Sequence, residues 1–344
     1  MAVSKKVFGK TSSGDTVTLY TITAADGSSA SIMDYGAAIV SLRFPDKNGN
    51  LQECCLGYRD FSSYEKSGDC LGALVGPVCN RISGASFSLN GIQYQLETND
   101  GKNHLHSASA GLHRKVFALE QITENSITLS SSSPDGEGGY PGNLSVSATY
   151  SLSDSHELLL SMQAQTDQDT PVNLTNHCYF RLSDEPDILE HTLQIDASRI
   201  TQAGPGNIPT GQLLSVDHGV FDFRESKRIG ADIKKEEPSL LLFGGYDHNF
   251  CIDGSGFRHF GSLESAVFGI RMSIFSDLPG MQVYTGNFLT PLPDRSGSLI
   301  CPRGGIALEP QFWPDAVNQK DFPSVILHAG DKWQHRIEYR FRTI

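Results

Sequence analysis

The sequence predicts an all-β fold, a large antiparallel β-sandwich with long loops and few short helices, and three observations carry that prediction. Segments in which polar and β-branched or apolar residues alternate recur along the chain, as half-buried strands require. Between two of them stands Asn90-Gly91, the dipeptide that best tolerates the positive φ angles of a tight hairpin turn. Finally, 34 glycines and 16 prolines punctuate 344 residues, while only two short segments read as helical.

In order along the chain, Thr16–Thr23 alternates β-branched and polar residues and reads as a strand. Residues 58–70 read as a short helical turn. Residues 86–96 form a hairpin, with Phe87 and Leu89 on one arm and Tyr94 and Leu96 on the other. Strands follow at 126–129, Leu144–Leu152, 158–165 and Thr192–Ile195, and a strand-like run covers 171–180. Turn-rich loops are expected at 131–142 and 203–211. A strand at 281–285, the apolar run Ile306-Ala307-Leu308 ending at Glu309, a helical turn at 315–320 and a closing strand at 336–342 complete the reading. No linker, low-complexity segment or repeat interrupts it, so residues 1–344 read as one domain.

Charge and cysteine content exclude several classes. A net charge of −12 and a pI near 5.3 disfavour nucleic acid, because its phosphates would be repelled. The basic clusters at Lys5-Lys6, 224–228 and Lys234-Lys235 are short and scattered, as on a solvated surface. The first ten residues lack the apolar stretch of a secretory signal and no window suits a membrane span, so a soluble, cytoplasmic protein is expected. Seven cysteines, an odd number without CxxC spacing, suggest free thiols rather than disulfides or zinc. No GxGxxG, P-loop, HExxH or GxSxG pattern is present, and neither metal nor cofactor is expected.

Two stretches stand out for chemistry: Asn173-Leu174-Thr175-Asn176-His177-Cys178-Tyr179-Phe180 and Leu308-Glu309-Pro310-Gln311-Phe312-Trp313-Pro314-Asp315. Each sets one proton-transfer side chain among amides and aromatics. With ordinary pKa values of roughly 6.5 and 4.3, a histidine and a glutamate facing one pocket move two protons in opposite directions at neutral pH, as opening a cyclic hemiacetal requires. Pattern alone favours the plainer readings. A lone histidine in a strand-like run is more often a hydrogen-bonded core or surface residue, and a strand-end glutamate is often salt-bridged. A carboxylate at the end of a buried run is nevertheless costly unless paired or functional.

The chain resembles the aldose 1-epimerase, or galactose mutarotase, family. The resemblance lies in Gly72-Ala73-Leu74-Val75-Gly76 through Asn80-Arg81-Ile82, in Asn103-His104-Leu105-His106, in Glu137-Gly138-Gly139-Tyr140-Pro141-Gly142-Asn143 and in residues 170–180. It continues through Ile208-Pro209-Thr210-Gly211, Phe221-Asp222-Phe223-Arg224, Gly245-Tyr246-Asp247-His248-Asn249, Tyr284-Thr285-Gly286-Asn287-Phe288 and residues 308–319. These blocks keep the family's order over nearly the whole chain.

The resemblance implies a galactose mutarotase-like supersandwich with a sugar groove on one face, and the interconversion of α and β anomers of aldohexoses such as galactose and glucose. His177 is then the expected general acid and Glu309 the general base. Asn80, Arg81, His106, Asp247 and Gln282 are the expected substrate-binding residues. His106 is preferred over the nearby His104 and His113 because it follows Asn103-x-Leu, where the family places its second histidine. Arg81 offers fixed donors to vicinal hydroxyls, although a surface ion pair is its plainer reading, and a solvent-facing strand position is that of Gln282. Phe288 and Trp313 are left out, since aromatics beside glycines are more often core.

The partner is expected to be a small aldohexose, with neither nucleic acid nor membrane, for a monomer or weak dimer. Ser107-Ala108, Arg181 and Pro77-Val78-Cys79 depart from the family's pattern and bear on sugar preference more than on chemistry. Three other readings remain: a carbohydrate-binding module without turnover, a glycoside hydrolase using Glu309 with Asp247, and a hexose-6-phosphate epimerase.

Overall fold

Alternation of apolar and polar residues along successive strands builds three antiparallel sheets of five, nine and six strands in the computed structural model, which describes residues 1–344. Ala2–Lys10, Thr16–Thr23, Ser29–Met33, Ile39–Pro45 and Leu51–Glu53 form the first as a simple meander, each strand pairing with the next. The nine-stranded sheet begins with Ala118–Ile122, Ser126–Ser133, Leu144–Leu152 and Glu157–Thr166. It then takes Lys332–Thr343 into its middle before Ile270–Ser276, Arg258–Ser265, Thr192–Ile195 and Lys227–Arg228. The six-stranded sheet runs Tyr179–Phe180, Ile306–Gln311, Gly280–Tyr284, Asp247–Ile252, Ala197–Ala203, Pro209–Ser215.

The strand pattern explains the core. In Leu144–Leu152 the residues Leu144, Val146, Ala148, Tyr150 and Leu152 are buried, while the serines and threonine between them are not. Leu158, Leu160, Met162 and Ala164 repeat this on the next strand, and both rows join a buried cluster of 60 residues. Each such side chain withdrawn from water contributes about 1.5–3 kcal/mol, so the sheets are held chiefly by their shared apolar face.

Several expected elements shift. Within 58–70 the helix is Phe61–Lys66, capped by Asp60, whose carboxylate accepts from the Ser63 N–H. Residues 315–320 narrow to the single turn Ala316–Asn318. The loops at 131–142 and 203–211 are shorter than expected, because strands reach Ser133 and begin at Pro209. A second helix, Pro238–Phe243, is absent from the sequence reading. At six residues it is too short to show a helical period, although Pro at its start and Gly244 at its end are helix punctuation.

Two corrections bear on chemistry. Residues 171–180 are not one strand but three two-residue ladders, Thr170–Pro171, Thr175–Asn176 and Tyr179–Phe180, each paired to a different partner. His177 lies between the second and third. Glu309, expected to end its strand, sits inside Ile306–Gln311. Pro310 is tolerated there because the pairing with Tyr179–Phe180 reaches only Ile306 and Ala307, so no ladder partner lacks a donor beyond them.

Candidate active site

Register in the six-stranded sheet creates the floor. Gln282 stands opposite Asn249 on one neighbour and Glu309 on the other, and Asp247 stands opposite Tyr284 two pairs along. Side chains two apart on a strand share a face, so Asp247, Asn249, Gln282, Tyr284 and Glu309 present together. A cleft of about 450 Å³ lies over this face, and all seven residues singled out from the sequence line it.

His177 reaches the cleft from the break between ladders. Its N–H donates to Ala73 O (2.8 Å) and its carbonyl accepts from the Gly72 N–H (2.9 Å), which fixes the backbone on both sides. Gly72 has φ +74, and a Cβ there would collide with the Ile39 carbonyl, so this close approach needs glycine. The imidazole packs 5.0 Å from the Tyr179 ring, and its Nε2 lies 3.6 Å from Glu309 Oε2. Both residues are nearly closed to water, at 5% and 2% exposure.

The side wall comes from residues 78–82 and 104–108. Leu105 pairs with Arg81, and beyond that ladder the His106 N–H donates to Asn80 O (3.0 Å) while the Asn80 N–H donates to His106 Nδ1 (3.2 Å). A ring nitrogen that accepts carries no proton, so the neutral His106 ring keeps its proton on Nε2 as a donor. Arg81 Nε donates to Asp100 (2.7 Å). At the other end Asp247 is held by Gln282 Nε2 (2.6 Å) and Asn207 Nδ2 (2.8 Å). His104, by contrast, is buried against Glu97 O (2.6 Å), and neither it nor His113 lines the cleft.

Burial sets the electrostatics. It pushes the Glu309 carboxyl well above its ordinary value, with help from nearby Asp247. The same burial holds His177 down to about 4 and keeps His106 well below its ordinary value, where His177 adds to the effect. Desolvation also raises the Asp247 carboxyl against the pull of Arg81. His177 Nδ1, Glu309 Oε2 and the Gln282 amide oxygen have no hydrogen-bond partner within the protein, so three buried polar groups line this cleft unsatisfied. No group of three or more His, Cys, Asp and Glu side chains is placed to hold a metal ion.

The sequence reading missed Asp69, Cys70, Tyr179, Asn207, Tyr284 and Phe288, which also line the cleft. Asp69 bridges two loops by accepting from Tyr58 Oη (2.6 Å) and the Thr290 N–H (3.0 Å). Leaving out Phe288 is corrected: its ring is 71% exposed on the cleft rim. Trp313 is elsewhere, donating to Pro279 O (3.2 Å) and packed on Phe322. The departures at Cys79 and Ser107 lie behind the wall. There Cys79 Sγ faces Gln311 Oε1 (3.2 Å), and Ser107 Oγ accepts from the Val78 N–H (2.9 Å). Arg181 points away, 3.9 Å from Asp294.

Residues 18–340 match the family model described as aldose 1-epimerase. The chain is 36% identical to galactose mutarotase of Bos taurus over 346 residues, covering 99% of each chain. It is 36% identical to galactose mutarotase of Homo sapiens over 345 residues, 99% of this chain and 98% of that one. Among solved structures it resembles a GalM/aldose epimerase homologue from C. elegans, with a TM-score of 0.89 and 28% identity over 95% of this chain and 99% of the other.

Proposed function

The chain belongs to the aldose 1-epimerase family and is a mutarotase; we propose that it acts on free aldohexoses, galactose and glucose foremost, with His177 and Glu309 as its acid and base. The supporting observation is the 3.6 Å separation of His177 Nε2 and Glu309 Oε2 on one buried floor. The anomeric and ring oxygens of a pyranose share one carbon, so groups this close serve both.

Glu309 takes the proton of the anomeric hydroxyl while His177 gives one to the ring oxygen. The C1–O5 bond breaks, and its electron pair leaves on the oxygen that has been protonated. The product is the open aldehyde, facing a neutral imidazole and a protonated carboxyl. Rotation about C1–C2 turns the other carbonyl face to O5. Closure runs the transfers backwards, so each half-reaction returns the proton the other used.

The opposed shifts of the two groups set which proton arrangement the free cleft prefers. Imidazolium with carboxylate, and imidazole with carboxylic acid, hold the same number of protons and the same net charge. A dry pocket favours the second arrangement, so imidazolium with carboxylate is the less favoured pair in the free cleft, and hydrogen bonds from the bound sugar's hydroxyls to the carboxylate are what draw the pair into it before ring opening.

Asn80, Arg81, His106, Asp247 and Gln282 then bind hydroxyls. Arg81 is the one cation among the lining residues and already engages Asp100, while Asp69, Asp247 and Glu309 supply carboxyl groups. That balance favours an unphosphorylated sugar over a hexose phosphate. The lining spans Gly68 to Glu309, which supports one working unit over residues 1–344 and turnover by a monomer. No helix is long and apolar enough to cross a membrane. A cytoplasmic location is inferred from the seven free cysteines.

The test is anomer exchange of galactose, followed by NMR or polarimetry, with intact protein, Glu309→Gln and His177→Asn. Each substitution is expected to lower acceleration by about 10²–10⁴ with folding retained. Full turnover by either variant would remove that residue from its role.

A further inference from the structure

A hydrogen-bond chain of fixed direction runs from the cleft to the helix Pro238–Phe243, and nothing in the acid–base scheme uses it. The Asp247 N–H donates to His248 Nδ1 (3.0 Å), so the neutral ring carries its proton on Nε2, which donates to Ser239 Oγ (2.8 Å). The Ser239 hydroxyl therefore donates onward to Glu237 Oε2 (2.6 Å). That same oxygen caps the helix by accepting from the Leu240 N–H (2.9 Å). His248 is 2% exposed, between Phe221 at 4.5 Å and Phe243 at 5.4 Å ring to ring. Burial holds it down to about 3, so at neutral pH every donor and acceptor in the chain keeps its direction.

The far end of the helix is tied as firmly. Asn287 Nδ2 donates to Phe243 O (3.0 Å) and Arg303 to Gly244 O (2.7 Å). Between these ties the helix sets Leu242 and Phe243 on the cleft lining, with Leu242 59% exposed and Phe288 beside it. A cleft otherwise lined by amides, imidazoles and carboxyls thus has an apolar lip. A pyranose is itself two-sided, with a C–H face and a rim of hydroxyls, so a lip and a carboxylate at fixed spacing grip both at once.

We propose that His248 is a positioning residue for the sugar: it couples the helix bearing Leu242 and Phe243 to Asp247, so that lip and carboxylate meet one hexose in register. This rests on the mutarotase reading above. His248 does not line the cleft, and its loss weakens binding rather than the proton transfers.

The test measures galactose mutarotation with Ser239→Ala, His248→Ala and the double variant. Each single variant is expected to raise KM roughly five- to tenfold with kcat within about twofold, as loss of one buried hydrogen bond would. The double variant should add little to His248→Ala, because the two side chains act in one chain. A histidine Nε2–H protected from exchange should appear in the NMR spectrum of the intact protein and vanish in Ser239→Ala. Unchanged KM in Ser239→Ala, independent effects of the two substitutions, or a fall in kcat at constant KM would each overturn the inference while leaving the mutarotase reading intact. Failure of the intact protein to accelerate anomer exchange would overturn that reading itself. If His248→Ala does not fold, Ser239→Ala carries the test alone through KM and the protected proton.

Discussion

At Glu309 stability and proposed activity oppose each other. Its carboxyl is fully enclosed, lacks a partner for Oε2, and is pushed far above the ordinary carboxylate range. A group raised in this way contributes stability in its protonated form below about pH 4.3, the unfolded value, and loses it as pH rises through the folded value. Glu309→Gln keeps the shape and removes the ionisation, so it should stabilise the protein while lowering turnover by about 10²–10⁴. We expect a gain of about 1–2 kcal/mol at pH 8 and a smaller one at pH 5, read from denaturant midpoints. A loss at pH 8 would mean that the carboxylate is held by something other than burial. Most of the cleft at this scale was legible because its residues stood inside ordered motifs. Asp69 and Asn207 were not, since loop residues acquire neighbours only on folding. Phe288 was misjudged because an aromatic after Gly286-Asn287 is usually core; here the Gly286 turn (φ +61) leads the ring outward instead.

Among elements, the hairpin Ser86–Leu89 and Ile92–Gln95 was readable from two residues, Asn90 and Gly91, which adopt φ +52 and +79. A side chain at Gly91 would meet nothing within 4 Å, so Gly91→Ala should cost only conformational strain, about 1 kcal/mol, with turnover unchanged. Gly72→Ala is a different case. The added methyl would strike the Ile39 carbonyl behind His177, and the loss should exceed about 3 kcal/mol with turnover greatly reduced. Comparing unfolding midpoints and rates for the pair separates strain from collision, and equal effects would sink the argument. Strands such as Asp247–Ile252 escaped the sequence reading for a physical reason. Five of its six residues are buried, His248 and Asn249 among them, so there is no alternation to see. Two-residue ladders like Thr175–Asn176 are likewise beyond any periodicity.

For the whole molecule, composition and alternation revealed the all-β class, but not the order of strands, which depends on contacts between residues far apart in the chain. The plainest case is Lys332–Thr343, which lies between Glu157–Thr166 and Ile270–Ser276 in the largest sheet. Its Trp333, Ile337, Tyr339 and Phe341 enter the central core, so removing 332–344 should leave no native protein. Far-ultraviolet circular dichroism and loss of a cooperative thermal transition would show this, and a folded truncated chain would refute it. The cleft depends on the same long-distance closure, because its floor and walls join residues from Gly68 to Glu309 through strands that are not consecutive. Sugar turnover should therefore vanish in step with the far-ultraviolet signal as denaturant is added, which makes a polarimeter a gauge of how much of the sample is native.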